Sequence, residues 1–161
     1  MFQAITLAVI TALTIIDQLT KYAAAVTVKV NGPKEFLFGL LQFRYTENTG
    51  AAFSSFSDNT TLLSVFTVVV IVIGLIVVLS RKLKPNFLNA CLILILSGGI
   101  GNAVDRIRLG YVVDFIEPLF IDFAVFNFAD CCITVGAFML IGYEIYEFIA
   151  EYKNKKASKN D

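Results

Sequence analysis

Four long apolar segments alternate with polar connections along this chain of 161 residues. The second and third segments, residues 62–79 and 87–104, contain no charged side chain, and the first and fourth cover residues 2–25 and 129–150. A helix needs roughly 20 apolar residues to cross a hydrocarbon core of about 30 Å. The pattern therefore predicts a single membrane domain over residues 1–161, an all-α bundle of four transmembrane helices.

Two connections, residues 26–61 and 105–128, are much longer than the link between the second and third spans. In the first of them, residues 26–30 and 41–46 alternate between apolar and polar side chains, which is typical of β-strands. The Gly-Pro pair at residues 32–33 favours a turn between them. We therefore expect a small extracytoplasmic β-sheet at the outer membrane surface.

Basic residues are distributed unevenly between the connections. Seven lie in two short segments, the link after the second span and the C-terminal tail, whereas the two longer connections together carry five. Lys and Arg accumulate on the cytoplasmic side of membrane proteins, so both termini are predicted to be cytoplasmic. The seven residues are Arg81, Lys82, Lys84, Lys153, Lys155, Lys156 and Lys159.

Composition narrows the classes of protein that the chain can represent. Hydrophobic residues make up 57% and charged residues 16%, against about 45–50% and about 25% in globular proteins. These proportions exclude a soluble two-domain enzyme, a disulfide-rich secreted mini-protein and a disordered tail. The formal net charge is zero, and no basic cluster is interleaved with aromatic residues, so nucleic acid is not an expected partner.

The side chains available for chemistry are few. Histidine is absent, so proton transfer must fall to carboxylates, Lys, Tyr or Cys. Cys91, Cys131 and Cys132 lie in or beside apolar spans without metal-ligand spacing, and we interpret them as small apolar residues. Neither a metal nor another cofactor is expected.

The predicted topology brings four aspartates, Asp17, Asp105, Asp114 and Asp130, close to the outer interface. A charge near the bilayer centre costs about 2.5–3.5 kcal/mol on insertion scales, so each of them needs an explanation. Asp17 and Lys21 are four residues apart and are predicted to form an ion pair on one helical face. A Ser/Lys catalytic dyad that uses Lys21 is a weaker alternative, because no serine is placed beside it.

The other three aspartates have different local settings. Asp105 ends the predicted third span, where the helix dipole disfavours an anion, and Arg106 is its nearest candidate partner. Asn127 and Asp130 suit the N-cap and third positions of the fourth span, which is a purely structural explanation for both. Asp114 interrupts an apolar run without a capping or turn role, so we expect burial to raise its pKa.

Two carboxylates at one site can divide the work of peptide hydrolysis, as in aspartic proteases. One remains ionised and takes a proton from the attacking water, while the other holds a proton and hydrogen-bonds the carbonyl oxygen. Asp114 with Asp130 is the favoured pair. The alternatives are a small proton-coupled transporter, in which one acid binds the transported proton or cation, and a non-enzymatic scaffold.

Two segments of small residues are open to more than one interpretation. Residues 97–101, Ser-Gly-Gly-Ile-Gly, lie within a span and favour close helix packing, or room for a lipid chain, over a dinucleotide loop. Residues 46–53 at the membrane edge suit either a loop that clasps a peptide backbone or an ordinary turn into the second span.

Five short motifs, in chain order, resemble those of the bacterial lipoprotein signal peptidases, also called signal peptidase II or prolipoprotein signal peptidase. They extend over nearly the full length of the chain, which makes the resemblance highly specific. The motifs are Asp17-Gln18-Leu19-Thr20-Lys21, Asn48-Thr49-Gly50-Ala51-Ala52-Phe53, Gly101-Asn102-Ala103-Val104-Asp105-Arg106, Gly110-Tyr111-Val112-Val113-Asp114-Phe115 and Phe126-Asn127-Phe128-Ala129-Asp130.

This resemblance implies an aspartyl endopeptidase of the bacterial cell membrane, with its active site near the outer face. It would remove the signal peptide of diacylglyceryl-modified prolipoproteins by cutting N-terminal to the modified cysteine. The implied partners are the prolipoprotein, membrane lipid and inhibitors of the globomycin type, and the protein is expected to be a monomer.

The resemblance also implies roles for individual residues. Asp114 and Asp130 match the catalytic dyad. Cys131 and Cys132 follow directly where small residues, often Ser, are expected, which could alter the packing of the dyad or its sensitivity to oxidation. Positions that bind substrate or position the dyad are Asn48, Gly50, Asn102, Arg106 and Asn127, and positions tied to local structure are Asp17, Lys21 and Asp105.

Overall fold

The computed structural model describes residues 1–50, 60–80 and 87–157. The predicted loop residues 51–53 and four of the basic residues used for orientation, Arg81, Lys82, Lys84 and Lys159, lie outside these ranges. The described part of the chain forms four helices and a small antiparallel sheet. The elements are α1 (Phe2–Asn31), β1 (Lys34–Phe36), β2 (Leu41–Asn48), α2 (Thr60–Leu79), α3 (Phe87–Leu109), β3 (Val112–Pro118) and α4 (Phe128–Ala157).

Three of the described helices, α1, α3 and α4, are long and apolar enough to cross a membrane. In α2 the apolar stretch found among the described residues is Thr67–Leu79. Large apolar side chains remain exposed on the outside of the bundle, for example Ile76 on α2 and Phe138 on α4, which are 66% and 72% exposed. This pattern is typical of a helical bundle surrounded by lipid, in which the outward apolar side chains contact lipid and are not packed inside the protein.

Helix α3 packs against each of the other three helices, and its glycines allow the closest approach. A Cβ at Gly98 would lie 2.3 Å from the carbonyl oxygen of Ala129 on α4. Gly136 on α4 faces α3 in the same way, because its Cβ would lie 2.9 Å from the carbonyl oxygen of Cys91. Of the two interpretations of the glycine-rich segment, close helix packing therefore applies at Gly98.

The sheet has the order β1-β2-β3, with both pairs antiparallel. The predicted strand over residues 41–46 is confirmed within β2, but the predicted strand over residues 26–30 is wrong. Helix α1 continues to Asn31 and ends at Gly32, whose φ of 86° suits glycine and whose N–H donates to the carbonyl oxygen of Val28 at 2.9 Å. The Gly-Pro pair therefore ends a helix and does not join two strands.

Helix α3 also extends beyond its predicted end at residue 104, to Leu109. Asp105 consequently lies inside the last turns of the helix and not at its terminus. The chain then reverses through Gly110, with φ 82°, into β3, which carries Asp114. A bridge between Ile116 and Phe126 folds the following loop back on β3, so that α4 begins beside this strand.

Candidate active site

All ten residues predicted to form the site or its support belong to one connected region of hydrogen bonds and ion pairs. They come from five elements and the turns next to them, so the geometry of the site depends on how these five elements pack together. Asp17 and Lys21 lie on α1, Asn48 and Gly50 at and after the end of β2, Asn102, Asp105 and Arg106 on α3, Asp114 on β3, and Asn127 and Asp130 at the start of α4.

Asp114 is almost completely buried, at 2% exposure, on the central part of β3. Its Oδ2 accepts a hydrogen bond from Asn48 Nδ2 at 2.9 Å, and its Oδ1 accepts one from Asn127 Nδ2 at 2.6 Å. Burial, together with the nearby Asp130 carboxylate, raises the pKa of Asp114 to about 6 against the lowering effect of the two amides and of the Lys21 ammonium. The sequence prediction of a raised pKa is confirmed.

Asp130 lies in the first turn of α4, where Asn127 is the N-cap. Asn127 Oδ1 accepts the Asp130 N–H at 2.9 Å, and Asp130 Oδ2 accepts the Asn127 N–H at 3.1 Å. This reciprocal pair confirms the predicted cap and satisfies two backbone donors at the helix end. The positive end of the helix dipole favours an ionised carboxylate at this position.

Two asparagine amides connect the aspartates. Asn127 is fully buried, and its Nδ2 donates to Asp114 Oδ1 and also to Asn102 Oδ1, at 3.1 Å. Asn102 Nδ2 in turn donates to Asp130 Oδ1 at 2.8 Å. The two carboxylates are therefore held by one continuous set of hydrogen bonds.

Arg106 secures the turn that follows β2. Its Nη2 donates to the carbonyl oxygen of Gly50 at 3.1 Å, while the Gly50 N–H donates to Asn48 Oδ1 at 3.0 Å. Arg106, the nearest candidate partner of Asp105 in sequence, thus makes its hydrogen bond elsewhere, and the ion pair of Asp105 is with Lys21. Because α3 continues past both residues, neighbouring side chains point in different directions around the helix.

The partner of Asp105 is Lys21, at 3.0 Å between Nζ and Oδ2. Lys21 Nζ also lies 2.9 Å from Asp17 Oδ2, so the predicted pair within α1 is confirmed as part of a larger ion triad. All three side chains are at most 4% exposed. Opposite charges at contact distance make such burial tolerable inside a membrane.

Gln18 has a supporting role that the sequence interpretation missed. Its Nε2 donates to Asp105 Oδ1 at 2.9 Å, to Asp17 Oδ2 at 3.2 Å and to the carbonyl oxygen of Gly101 at 3.2 Å. The available signal was a polar amide next to Asp17 inside an apolar span. Such a side chain requires partners where no water is present.

A cavity of about 500 Å³ opens over the two aspartates. Asp114 also borders a second, smaller cavity of about 170 Å³ next to the turn after β2. The larger cavity combines a polar wall with an apolar one, which is the usual character of a small-molecule or peptide site. Its polar wall contains Asn48, Asn102 and Arg106 beside the aspartates, and its apolar wall contains Phe123, Phe126 and Val135.

The fold is that of a bacterial membrane enzyme. Two solved structures, both described as bacterial membrane enzymes, superpose with TM-scores of 0.82 and 0.76 at 28% and 29% sequence identity. The first alignment covers 90% of both chains, and the second covers 86% of this chain and 90% of the other. The expected membrane bundle with a small sheet is confirmed at this level.

The sequence comparisons specify the family. The family model for signal peptidase (SPase) II matches residues 9–146. A lipoprotein signal peptidase of Streptococcus thermophilus (strain CNRZ 1066) is 41% identical over 78% of this chain and 82% of the relative. One of Streptococcus pyogenes serotype M5 (strain Manfredo) is 39% identical over 78% and 83%.

The chain therefore belongs to the signal peptidase II family. It is an aspartyl peptidase and a multi-pass protein of the cell membrane. The family resemblance drawn from the five motifs is confirmed, and the transporter alternative is not supported.

Proposed function

We propose that this protein is an intramembrane aspartyl endopeptidase that removes the signal peptide from diacylglyceryl-modified prolipoproteins, cutting N-terminal to the modified cysteine. Membership in the signal peptidase II family supports the substrate class, as does the name lipoprotein signal peptidase carried by its relatives. The observation that carries the mechanism is the link through Asn127 between two carboxylates, Asp114 and Asp130, on the wall of one cavity.

In the proposed reaction, the two aspartates have opposite protonation states. Ionised Asp130 takes a proton from a water molecule as the water oxygen attacks the scissile carbonyl carbon. Protonated Asp114 donates a hydrogen bond to the carbonyl oxygen and stabilises its developing charge. When the intermediate collapses, the C–N bond breaks and the amine leaves with the proton that Asp130 gained.

The different settings of the two acids support this assignment. Asp114 is buried, and its pKa of about 6 lies close to the range in which a group can hold and release a proton near neutral pH. Asp130 is half-buried at a helix N-terminus, which favours the anion. Two paired carboxylates can take different roles in one reaction when their environments differ in this way.

The surrounding polar residues suit substrate positioning. Arg106 lines the cavity beside the aspartates, where a guanidinium can donate to carbonyl oxygens of an extended peptide. Asn48, Asn102 and Asn127 orient the carboxylates. Gly50 supplies the backbone carbonyl that holds Arg106 in place.

We further propose four transmembrane spans, with α2 as the second of them, and an active site near the outer face. The excess of basic residues in the tail and in the link between α2 and α3 supports cytoplasmic termini. The apolar cavity wall suits acyl chains of the substrate, membrane lipid or an inhibitor of the globomycin type. We also propose a single-domain monomer as the functional unit.

The test is cleavage of a diacylglyceryl-modified prolipoprotein in detergent by the wild type, Asp114→Asn and Asp130→Asn. Folding of each variant is checked by size-exclusion chromatography and thermal unfolding. Both variants are expected to lose about a hundredfold or more in kcat, the range for loss of an acid–base group. Asp122→Asn is the matched control, because Asp122 is exposed in the loop between β3 and α4.

Near-normal cleavage by either folded variant would refute the catalytic assignment of that aspartate. The same prolipoprotein without its diacylglyceryl group tests the substrate. We expect at most slow cleavage of it by the wild type, and equal rates on both substrates would contradict the proposed lipid requirement.

A further inference from the structure

Lys21 lies behind the two proposed catalytic aspartates and is only 3% exposed. An ammonium group has three protons to donate, and here it has three acceptors. They are Asp17 Oδ2 at 2.9 Å, Asp105 Oδ2 at 3.0 Å and Asn102 Oδ1 at 2.8 Å. Two of these bonds neutralise charge, but the third goes to a neutral amide that itself contacts the dyad.

The two carboxylates of the triad hold the backbone next to the dyad. Asp17 Oδ1 accepts the N–H of Ala129 at 2.9 Å, and Asp105 Oδ2 accepts the N–H of Val113 at 3.1 Å. Each N–H belongs to the residue directly before one of the proposed catalytic aspartates. Lys21 therefore joins the groups that set where α4 and β3 lie relative to each other.

The third bond of Lys21 fixes which way the Asn102 amide faces. Asn102 Oδ1 accepts from Lys21 and from Asn127, so its Nδ2 donates to Asp130 at 2.8 Å. The reversed amide would place its NH₂ group against the ammonium and its oxygen against a carboxylate. Only the observed orientation satisfies all of these donors and acceptors.

We propose that Lys21 is a positioning residue for peptide hydrolysis and acts through Asn102 on Asp130. By holding the amide nitrogen toward Asp130, it stabilises the ionised carboxylate that takes the proton from water. Without Lys21, the amide is free to reverse and to withdraw this donor. The proposal rests on the proposed function, because it takes Asp130 as one member of the dyad.

Other charged and titratable groups also act on Asp130 from the elements packed around it. Arg106 is the one fixed cation among them, and it remains in every variant described below. If the pH–rate profile changes when Lys21 is replaced, loss of all positive charge at the site therefore cannot be the reason. The groups that interact electrostatically with Asp130 are Arg106 on α3, Asp114 on β3 and Cys131 on α4. Asp17 on α1 and Asp105 on α3 lie behind it as the partners of Lys21.

The first experiment measures kcat, KM and the pH–rate profile of Lys21→Met, which keeps the length of the side chain and removes its charge. We expect kcat to fall at least tenfold and KM to change by less than about twofold. The acid limb of the profile should move up by about one pH unit, the scale set by loss of a charge-assisted hydrogen bond. Lys29→Met is the matched control, since Lys29 pairs with Glu47 at 2.8 Å on the exposed end of α1.

Lys21→Met leaves two buried carboxylates without a cation, so a second variant guards against misfolding. Asp17→Asn with Lys21→Met keeps the net charge of the triad, and the asparagine oxygen can still accept the Ala129 N–H. The position of the acid limb does not depend on how many molecules are folded. An unchanged profile in the two Lys21 variants would reduce Lys21 to a structural role and overturn the proposal.

A double-mutant cycle with Asn102→Ala tests whether Lys21 acts through this amide. We expect Lys21→Met to lower kcat by less than twofold once Asn102 is replaced, because the two residues then form one coupled unit. Additive losses would overturn the proposal. Failure of the proposed function is distinguishable, since it would appear as activity retained by Asp114→Asn or Asp130→Asn.

Discussion

Gly101 on α3 offers a sharp test of the packing beneath the site. A Cβ at this position would lie 2.4 Å from Asp17 Oδ2, 3.0 Å from Asp17 Cγ and 3.3 Å from Ala129 Cβ. Real Cβ atoms do not approach an oxygen so closely, so in Gly101→Ala the Asp17 carboxylate must move. That carboxylate is 1% exposed and contacts both Lys21 and the Ala129 N–H. Because it is buried, solvent does not replace a contact that it loses.

The expected cost follows from three terms. Overpacking costs about 1–3 kcal/mol, and losing one hydrogen bond to a charged group costs about 1.5–3 kcal/mol. Replacing glycine by alanine within a helix stabilises it by about 1 kcal/mol, which offsets part of this cost. Gly101→Ala should therefore lower the free energy of unfolding by about 1.5–5 kcal/mol, and it should lower kcat because Ala129 directly precedes Asp130.

Gly99→Ala is the matched control on the same helix. Its Cβ would lie 3.4 Å from Ile71 Cγ1, which is ordinary contact, so the variant should be neutral or more stable by up to about 1 kcal/mol. Thermal unfolding in detergent and prolipoprotein cleavage are measured for both variants. The reasoning is refuted if Gly101→Ala is as stable and as active as Gly99→Ala.

Three further predictions concern the site itself. The raised pKa of Asp114, from 3.8 to about 6, means that the folded state favours the neutral acid, so its stabilising contribution is complete below about pH 4 and is lost as the pH rises through about 6. The stability of Asp114→Asn relative to wild type should therefore increase by on the order of 2 kcal/mol between pH 4 and pH 7 in unfolding experiments, and a constant difference would contradict this. Asn127→Ala should lose about 1–3 kcal/mol and its cleavage activity, whereas Asn127→Ser, which can still cap α4, should regain stability but not activity; a fully active serine variant would rule out the amide link. A thiol-reactive maleimide should block cleavage through Cys131, which lines the cavity while the other two cysteines are buried, and Cys131→Ser should resist it; equal inhibition of both proteins would count against this.

Local relations along the chain were predictable from the sequence. Apolar runs indicated the helices, and the four-residue spacing of Asp17 and Lys21 predicted their ion pair, which is confirmed at 2.9 Å. The three-residue spacing of Asn127 and Asp130 predicted the helix cap in the same way. Each of these depends only on helix geometry, which residue spacing determines.

The errors arose where the pattern was short or the partner was distant in sequence. Alternation over residues 26–30 is compatible with a strand, but Val26 and Val30 are also four apart and so share a helical face. Helix α1 continues through them because each further turn satisfies its own backbone hydrogen bonds. Lys29 in this stretch then contacts Glu47 of β2, which no local rule predicts.

The partner of Asp105 shows why the support of the site could not be derived from spacing. Asp105 and Arg106 are adjacent in sequence, yet one contacts Lys21 on α1 and the other contacts Gly50 after β2. This division follows once α3 is known to continue to Leu109, because adjacent helical residues are about 100° apart around the axis. The end of the helix was therefore the decisive unknown.

A buried ion triad is weak evidence for stability, because removing three charges from water offsets much of their mutual attraction. The hydrogen bonds that its two carboxylates accept instead fix where the surrounding helices and β3 lie relative to one another. The N–H groups of Ala129 and Val113 reach Asp17 and Asp105 only when α1, α3, α4 and β3 lie in the observed register. A hydrophobic replacement of similar volume could maintain the fold, but it would leave both N–H groups without partners and the Asn102 amide without a fixed orientation. We therefore infer that these intramembrane charges contribute more to the geometry of the two aspartates than to the stability of the bundle.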